Sequence, residues 1–383
     1  MIGRFARRIL NAPTYARTSH AFFSIVAHST PRRLWNLALV EAEFRLRRTR
    51  VSGKPYVLVV DPTNVCNLRC PLCPTGLMQR GRKAEMISWD TYTRTIDAAA
   101  PWAYKVNLFN WGEPLLHTHL FEMIRYASDR NLGTSLSSNM SIPIPDERID
   151  ELIGSGLEYL CLSIDGATQE AYAKYRRRGD LELVLSNVRR IVARRAELRS
   201  RTPVLEWQFI PMKHNEHEID AARKLAREIG VDVFRCIPVG LPFDSVDAET
   251  LAERWFPVSA RDGVEMSTND QAQSSCYFLY RYLVVNPDGK TSPCCVVSGE
   301  KNDFGDLKSE DLPSLWNNAM YRSGRALYRR GGKVDKATVC ERCDLFAKRS
   351  SRPGAAAEVK APQWVPVSVS REPARQPVPH DTP

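Results

Sequence analysis

Three cysteines, Cys66, Cys70 and Cys73, share the short stretch Asp61-Pro-Thr-Asn-Val-Cys-Asn-Leu-Arg-Cys-Pro-Leu-Cys-Pro-Thr-Gly76. Their Cys-x3-Cys-x2-Cys spacing offers a soft metal three thiolates on one loop, one ligand fewer than a closed iron-sulfur cluster or zinc site needs. Something outside the loop must complete the coordination. A structural zinc knuckle is the alternative reading; it wants a fourth Cys or His close by, and the next histidine is His117. A second set lies near the other end. Cys276 is followed by a β-rich run, the turn Asn286-Pro-Asp-Gly289 and the pair Cys294-Cys295, and later by Cys340-Glu-Arg-Cys343. The Pro-Asp-Gly turn predicts a hairpin that brings Cys276 and Cys294 together. Four sulfur ligands suit a zinc ribbon nearly as well as an iron-sulfur cluster.

The elements that must hold these loops alternate strand and helix. Residue patterning predicts strands over Val57 to Pro62, Lys105 to Asn110, Thr134 to Ser138, Tyr159 to Ile164, Leu205 to Ile210 and Val231 to Ile237. Helices are predicted between them, near 88–99, 119–130, 146–154, 168–198 and 216–229. Repeated βα units with right-handed crossovers build a parallel, barrel-like sheet. The first cysteine loop follows the first strand, at the strand end where α/β barrels gather their chemistry.

The cysteine spacing resembles the radical S-adenosylmethionine (radical SAM) superfamily, and further segments agree with it. Asn110-Trp-Gly-Glu-Pro114 looks like the family's Gly-Glu-Pro motif, which implies that Gly112, Glu113 and Pro114 receive the amino group of the methionine moiety. By the same resemblance Ser137 and Asn139 lie near the adenosyl group, Ser163 and Asp165 of Ser163-Ile-Asp-Gly166 near the ribose or carboxylate, and Arg176 on the methionine carboxylate. A guanidinium fork suits a carboxylate geometrically. Taken alone, Gly-Glu-Pro reads as a turn, Ser137-Ser-Asn139 as an Asx-type turn and Ser163-Ile-Asp-Gly166 as a capping loop. Cys276, Gly289 and Cys294, with the terminal Cys340 and Cys343, resemble SPASM extensions in the abbreviated, twitch form with one auxiliary cluster. Cys294 is preferred to Cys295 from the Gly-x4-Cys register. The resemblance implies an α/β fold: a partial (β/α)6 TIM-like barrel with a small C-terminal Cys-rich β-hairpin/helix extension. The implied cofactors are S-adenosylmethionine, a [4Fe-4S] cluster on Cys66, Cys70 and Cys73 that chelates it, and an auxiliary [4Fe-4S] cluster.

That resemblance also implies reductive cleavage of S-adenosylmethionine to a 5'-deoxyadenosyl radical, hydrogen abstraction from a substrate, and a flavodoxin-, ferredoxin- or reductase-type electron donor. An auxiliary cluster closed by four protein ligands suits electron transfer. Related twitch enzymes oxidise or deoxygenate sugar and cyclitol substrates, so the resemblance implies an oxidoreductase that oxidises or deoxygenates a small polar metabolite or carbohydrate. The alternative is peptide maturation by thioether, carbon-carbon or epimerisation chemistry; the first 50 residues look too short and wrongly patterned for a leader-binding domain. A non-catalytic iron-sulfur carrier is the contrasting class, and Gly-Glu-Pro with Arg176 argues against it. No general base can be named: His214 and His217 read as surface or capping residues. Cys161 and Cys236, within strands, read as small buried hydrophobes.

Composition sets the frame. With 383 residues, 43% of them hydrophobic, the chain can bury a large core. Its ten cysteines cluster on short loops, which favours metal binding in a reducing, cytoplasmic setting over a disulfide framework. No apolar run approaches the ~20 residues of a membrane span. Of the net charge of +10, all but two units lie in residues 1–50, where ten arginines face Glu41 and Glu43. The body is thus not a basic nucleic-acid-type domain. In this arm Leu34, Leu37, Ala38 and Phe44 recur at helical spacing. That pattern fits a helix packed on the barrel with its arginines solvated, or one lying peripherally on an anionic membrane. An Arg-rich leader also fits a transit peptide, and Ala21 to Ala27 makes a poor secretory signal. The expected organisation is a basic helical arm (1–52), the barrel (53–240), a substrate-proximal linker (241–275) in which Trp255 and Phe256 read chiefly as packing, the auxiliary domain (276–346) and a disordered Pro-rich tail (347–383).

Overall fold

The computed structural model describes residues 24–243, 245, 247–258, 275–329, 331–343 and 346. The first 23 residues, linker residues 259–274 and the Pro-rich tail lie outside the described residues.

Six short strands, β1 (Val57–Val60), β2 (Lys105–Asn107), β3 (Gly133–Ser138), β4 (Tyr159–Ser163), β5 (Val204–Phe209) and β6 (Val233–Cys236), pair in parallel in chain order. Between them run α2 (Trp89–Ala99), α3 (Leu120–Ser128), α4 (Asp146–Gly154), α5 (Gln169–Tyr175), α6 (Leu181–Glu197) and α7 (Ile219–Ile229), after the N-terminal helix α1 (Pro31–Arg45). Strand side chains alternate between faces. Leu136, Leu160, Leu162, Leu205, Trp207 and Phe209 join the main apolar core. The other face carries Asn107, Ser135, Ser137, Tyr159, Cys161, Ser163, Glu206, Gln208 and Arg235, hydrogen-bonded to one another across strands. The concave side of this partial barrel is therefore polar, and Cys161 belongs to that polar face rather than to the apolar packing expected of it.

After α8 (Ala248–Trp255) and the linker come α9 (Phe278–Arg281), β7 (Tyr282–Val285), β8 (Lys290–Ser292), β9 (Gly305–Asp306), α10 (Leu312–Trp316) and α11 (Ala319–Ala326). The hairpin forms as the turn chemistry predicts: β7 and β8 are antiparallel, with Gly289 at φ +84°. The sheet does not stop at the barrel. β7 pairs in parallel with β1, Val57 opposite Tyr282, so the order is β6-β5-β4-β3-β2-β1-β7-β8-β9. The C-terminal cysteines are thereby held on the sheet that holds the first cysteine loop.

Three expected helices differ in instructive ways. The span 168–198 is two helices, because Arg176 closes α5, Arg178 adopts φ +69° and Asp180 caps α6 by accepting from Leu183 N. The stretch Asp311 to Arg329, with Leu315, Trp316 and Tyr321, reads from sequence as one helix packing the auxiliary domain on the barrel, but it breaks at Asn318, whose side chain accepts from Met320 N and Tyr321 N. Leu315, Trp316 and Tyr321 nevertheless reach the core. In α1 the expected apolar stripe is not the packed face: Leu34 and Ala38 are exposed, while Arg33, Asn36, Val40 and Glu43 are buried. The barrel end that α1 covers presents backbone carbonyls, which polar side chains satisfy and leucines cannot.

Candidate active site

The first cysteine loop leaves the C-terminal end of β1 and is braced by two close backbone approaches. A Cβ on Gly112 would lie 1.8 Å from Thr63 O, and one on Gly76 would lie 2.3 Å from Cys70 O. Only glycine allows such contact. Glu113 N donates to Val65 O at 2.8 Å, which seats the Gly112-Glu113-Pro114 loop directly against the cysteine loop. Asp61, at the end of β1, completes the clamp: its buried Oδ2 accepts from Trp111 N at 3.2 Å, and burial pushes its carboxyl up to about 7. This carboxylate stands in the motif stretch but had no role in the sequence reading; its signal was an acidic residue ending an otherwise apolar strand.

Glu113 is buried and tied to β3. Its Oε1 accepts from Ser138 Oγ at 2.8 Å and its Oε2 from Asn139 N at 2.8 Å. Burial raises its pKa, opposed by these donors. Asn139 turns its amide to Asn67 Oδ1, at 3.0 Å, and to Cys66 Sγ, at 3.8 Å. Ser137 and Ser163 meet on the concave face, Oγ to Oγ at 3.2 Å. Arg176 reaches inward from the end of α5, where its Nε donates to Asp165 Oδ2 at 2.6 Å. Asp165 Oδ1 in turn accepts from Ile210 N at 2.7 Å. Arg176 is held well above the ordinary arginine value: burial opposes its charge, but Asp165 and then Cys70 favour it. The structure therefore gathers the residues after β2, β3 and β4, with Arg176, around Cys66 and Cys70. Ser138 and Asn67, which sequence reasoning missed, join them.

An apolar wall closes one side. Leu68, Cys70, Leu72, Tyr175, Met212, Val239 and Trp255 form a cluster separate from the main core. Tyr175 and Trp255 pack edge to face at 5.6 Å, and His214 lies edge to face on Trp255, also at 5.6 Å. Trp255 and Phe256 thus pack, as expected, but they pack beside the cysteine loop. Arg82, nine residues after Cys73, binds Asp288 in the β7–β8 turn and Asp303 just ahead of β9, and so locks the loop to the C-terminal part of the sheet. The Asn110 amide donates to Cys295 O and accepts from Trp111 Nε1, each at 3.1 Å, a second link between the two cysteine regions.

The donor sets fit iron-sulfur clusters. Burial pushes Cys66 up to about 12 and Cys70 up to about 11, so the free thiols stay protonated until a metal displaces the proton. Cys66 Sγ already accepts from Leu68 N at 3.4 Å, a contact that stabilises a ligating thiolate. Around the second set, Tyr328 is raised by burial and then by Cys276, Cys343, Cys340 and Cys294, the four thiols expected to act together. Among the described residues no three Cys, His, Asp or Glu side chains close on a single-ion centre.

The radical SAM superfamily model matches residues 60–205, and the SPASM model, an iron-sulfur cluster-binding domain, matches residues 276–344. The AdoMet-dependent heme synthase of Methanosarcina barkeri is 24% identical over 333 residues, spanning 76% of this chain and 92% of that protein. The PqqA peptide cyclase of Gluconobacter oxydans is 28% identical over 291 residues, spanning 70% and 78%. The crystal structure of Streptococcus suis SuiB bound to precursor peptide SuiA shares the fold, with a TM-score of 0.56 at 15% identity over 76% of this chain and 70% of that one. The chain belongs to the radical SAM superfamily as a SPASM-type enzyme, whose cofactors are a [4Fe-4S] cluster, auxiliary iron-sulfur and S-adenosylmethionine.

Proposed function

We propose that this radical SAM enzyme modifies a peptide, by cross-linking or epimerisation at a carbon from which hydrogen is first removed. The observation that carries the reading is the likeness to PqqA peptide cyclases, which in the Gluconobacter protein runs through 70% of the chain. This revises the weighting drawn from sequence, which favoured a small polar metabolite or carbohydrate because the N-terminal arm is short. The polar concave face, from Asn107 to Arg235, suits main-chain amides and polar side chains of a peptide.

In this proposal Cys66, Cys70 and Cys73 hold the initiating cluster. When bound and reduced, that cluster supplies the electron that cleaves S-adenosylmethionine to the 5'-deoxyadenosyl radical. Glu113, fixed by Ser138 and Asn139, and the backbone of Gly112 and Pro114 receive the methionine amino group. Arg176 serves the methionine carboxylate, for which Asp165 holds its guanidinium in place. Ser137 and Ser163 line the adenosyl side. Cys276, Cys294, Cys340 and Cys343 hold one auxiliary cluster, positioned by the β7–β8 hairpin. A flavodoxin- or ferredoxin-type donor supplies electrons.

The test is anaerobic turnover with S-adenosylmethionine and synthetic peptides encoded beside the gene, each deuterated at candidate carbons. Deuterium in 5'-deoxyadenosine together with a cross-linked or epimerised peptide supports the proposal. The likeness to heme synthase, over 92% of that protein, favours a second reading with a non-peptide substrate. Label arriving from a porphyrin or sugar, and from no peptide, would establish that reading instead.

A further inference from the structure

Helix α1 is amphipathic in the reverse sense. The face against the barrel holds Arg33, Asn36, Val40 and Glu43. Arg33, only 3% exposed, donates to the carbonyl oxygens of His28, Ala100, Arg130 and Asn131. Ala100 and Arg130 follow the ends of α2 and α3, so one guanidinium caps the carbonyl ends of two barrel helices. Asn36 bridges Lys54 O and Trp102 O, and Glu43 accepts from Ser52 N and Gly53 N. Each of these partners lies ahead of a strand. The helix therefore plugs the N-terminal end of the barrel, opposite the cysteine loop.

The outward face is apolar. Leu34 is 51% exposed, Trp35 71% and Leu46 65%, and Ala38 and Ala42 lie between them. On this helix they fall on the side opposite Arg33 and Val40. Arg32, Arg45, Arg48 and Arg50 are exposed around this strip, and Arg32 stacks 3.8 Å over the Trp102 ring at its edge. The 23 residues that precede the described part add four arginines and no carboxylate. A protein groove would cover the leucines and tryptophan, but it would have no need of a rim in which arginines predominate, the adjoining Glu41 carboxylate being taken up by Arg281. An anionic bilayer matches both features, since apolar side chains enter the headgroup boundary while guanidiniums pair with lipid phosphates. No helix among the described residues is long and apolar enough to cross a membrane, so contact would be peripheral.

We infer that the outward face of α1, centred on Leu34 and Trp35, docks the enzyme on an anionic membrane surface. The cysteine loop then faces away from the lipid, leaving the barrel mouth open to a donor protein and to substrate. This differs from the membrane arrangement considered from the sequence, since Phe44 and Leu37 are half-buried and take little part.

The test is vesicle co-sedimentation of the full-length holoenzyme, using phosphatidylcholine vesicles with and without phosphatidylglycerol. The expected result is pelleting with phosphatidylglycerol vesicles alone, weakened by salt, and reduced at least about tenfold in the Leu34→Glu/Trp35→Glu variant. Formation of 5'-deoxyadenosine should be unchanged in that variant, which shows that it is folded. Three results would overturn the inference: no pelleting with either vesicle; pelleting that the variant does not alter, which would assign binding to the preceding arginines; or a dimer in light scattering that the variant dissociates, which would make a second copy the occupant.

Discussion

Arg176 Nε donates to Asp165 Oδ2 at 2.6 Å, joining the end of α5 to the end of β4 in a pair whose carboxylate is fully buried. The sequence reading assigned both residues separately to S-adenosylmethionine; the structure makes them one unit. A fork already oriented by Asp165 still has donors for a second carboxylate. Removing either partner strands a buried charge, which costs ~3–5 kcal/mol. Asp165→Ala and Arg176→Ala should each lower stability by about that amount in denaturant melts. The double variant should recover part of the stability and none of the 5'-deoxyadenosine formation. Recovery of turnover as well would reduce the pair to scaffolding.

Asp61, through Trp111 N, and the close approach of Gly112 to Thr63 O both seat the Gly-Glu-Pro loop against the end of β1. Asp61→Asn keeps an acceptor for Trp111 N and should retain most S-adenosylmethionine affinity, whereas Asp61→Ala removes it. Gly112→Ala should be more damaging than either, because its Cβ meets Thr63 O at 1.8 Å, a backbone contact that no rotamer can relieve. Equilibrium binding measured beside iron content separates the effects: iron on the first loop should persist in Asp61→Ala while affinity falls about tenfold or more, the cost of leaving a part-buried backbone donor without its acceptor. Equal affinity in the two Asp61 variants would remove its positioning role.

Residue types and spacing carried most of the site. The cysteine loop, Gly112-Glu113-Pro114, Ser163 and Arg176 all announce themselves locally, because their chemistry needs a run of adjacent residues. The six strands were legible from β-branched runs, with ends misjudged by one to three residues, most where polar residues such as Asn110 follow. Less legible was anything decided between distant segments. Nothing near Arg82 signals Asp288 and Asp303, and nothing in Tyr282–Val285 signals that β7 extends the barrel sheet beside β1. The reversal of α1 was hidden for the same reason: helical periodicity identifies two faces, and the carbonyls of α2 and α3 decide which one is buried.

Cys294 and Cys295 are adjacent and both lie among the auxiliary thiols: burial raises each, and Cys295 acts on Cys294 and on Cys276. The Gly289-x4-Cys294 register selects Cys294 as the ligand. Cys294→Ala should lose auxiliary iron, while Cys295→Ala should keep it. In iron assays the parent should hold about eight irons as two cubanes, and the triple alanine variant of Cys66, Cys70 and Cys73 roughly half. Four irons in the parent, or full iron in Cys294→Ala, would reverse the ligand assignment.

His28 ties the segment before α1 to the barrel, since its Nε2 meets Glu158 Oε1 at 2.5 Å and its Nδ1 meets Asn131 Oδ1 at 2.9 Å. The hydrogen bond to Glu158 raises the His28 pKa above its ordinary 6.5, against burial, which lowers it. A histidine whose folded value lies above its unfolded value contributes stability that is fully present below the unfolded value. That contribution is lost as pH climbs through the folded value. Glu158 at the foot of β4 should therefore hold the N-terminal segment most firmly in mildly acidic buffer, and the hold should loosen from about pH 6.5 upward. Hydrogen exchange over residues 24–30 should quicken across that window in the parent. In His28→Gln, which keeps a donor but cannot titrate, exchange corrected for its intrinsic pH dependence should stay flat. The same rise in the variant would show that another group controls the segment.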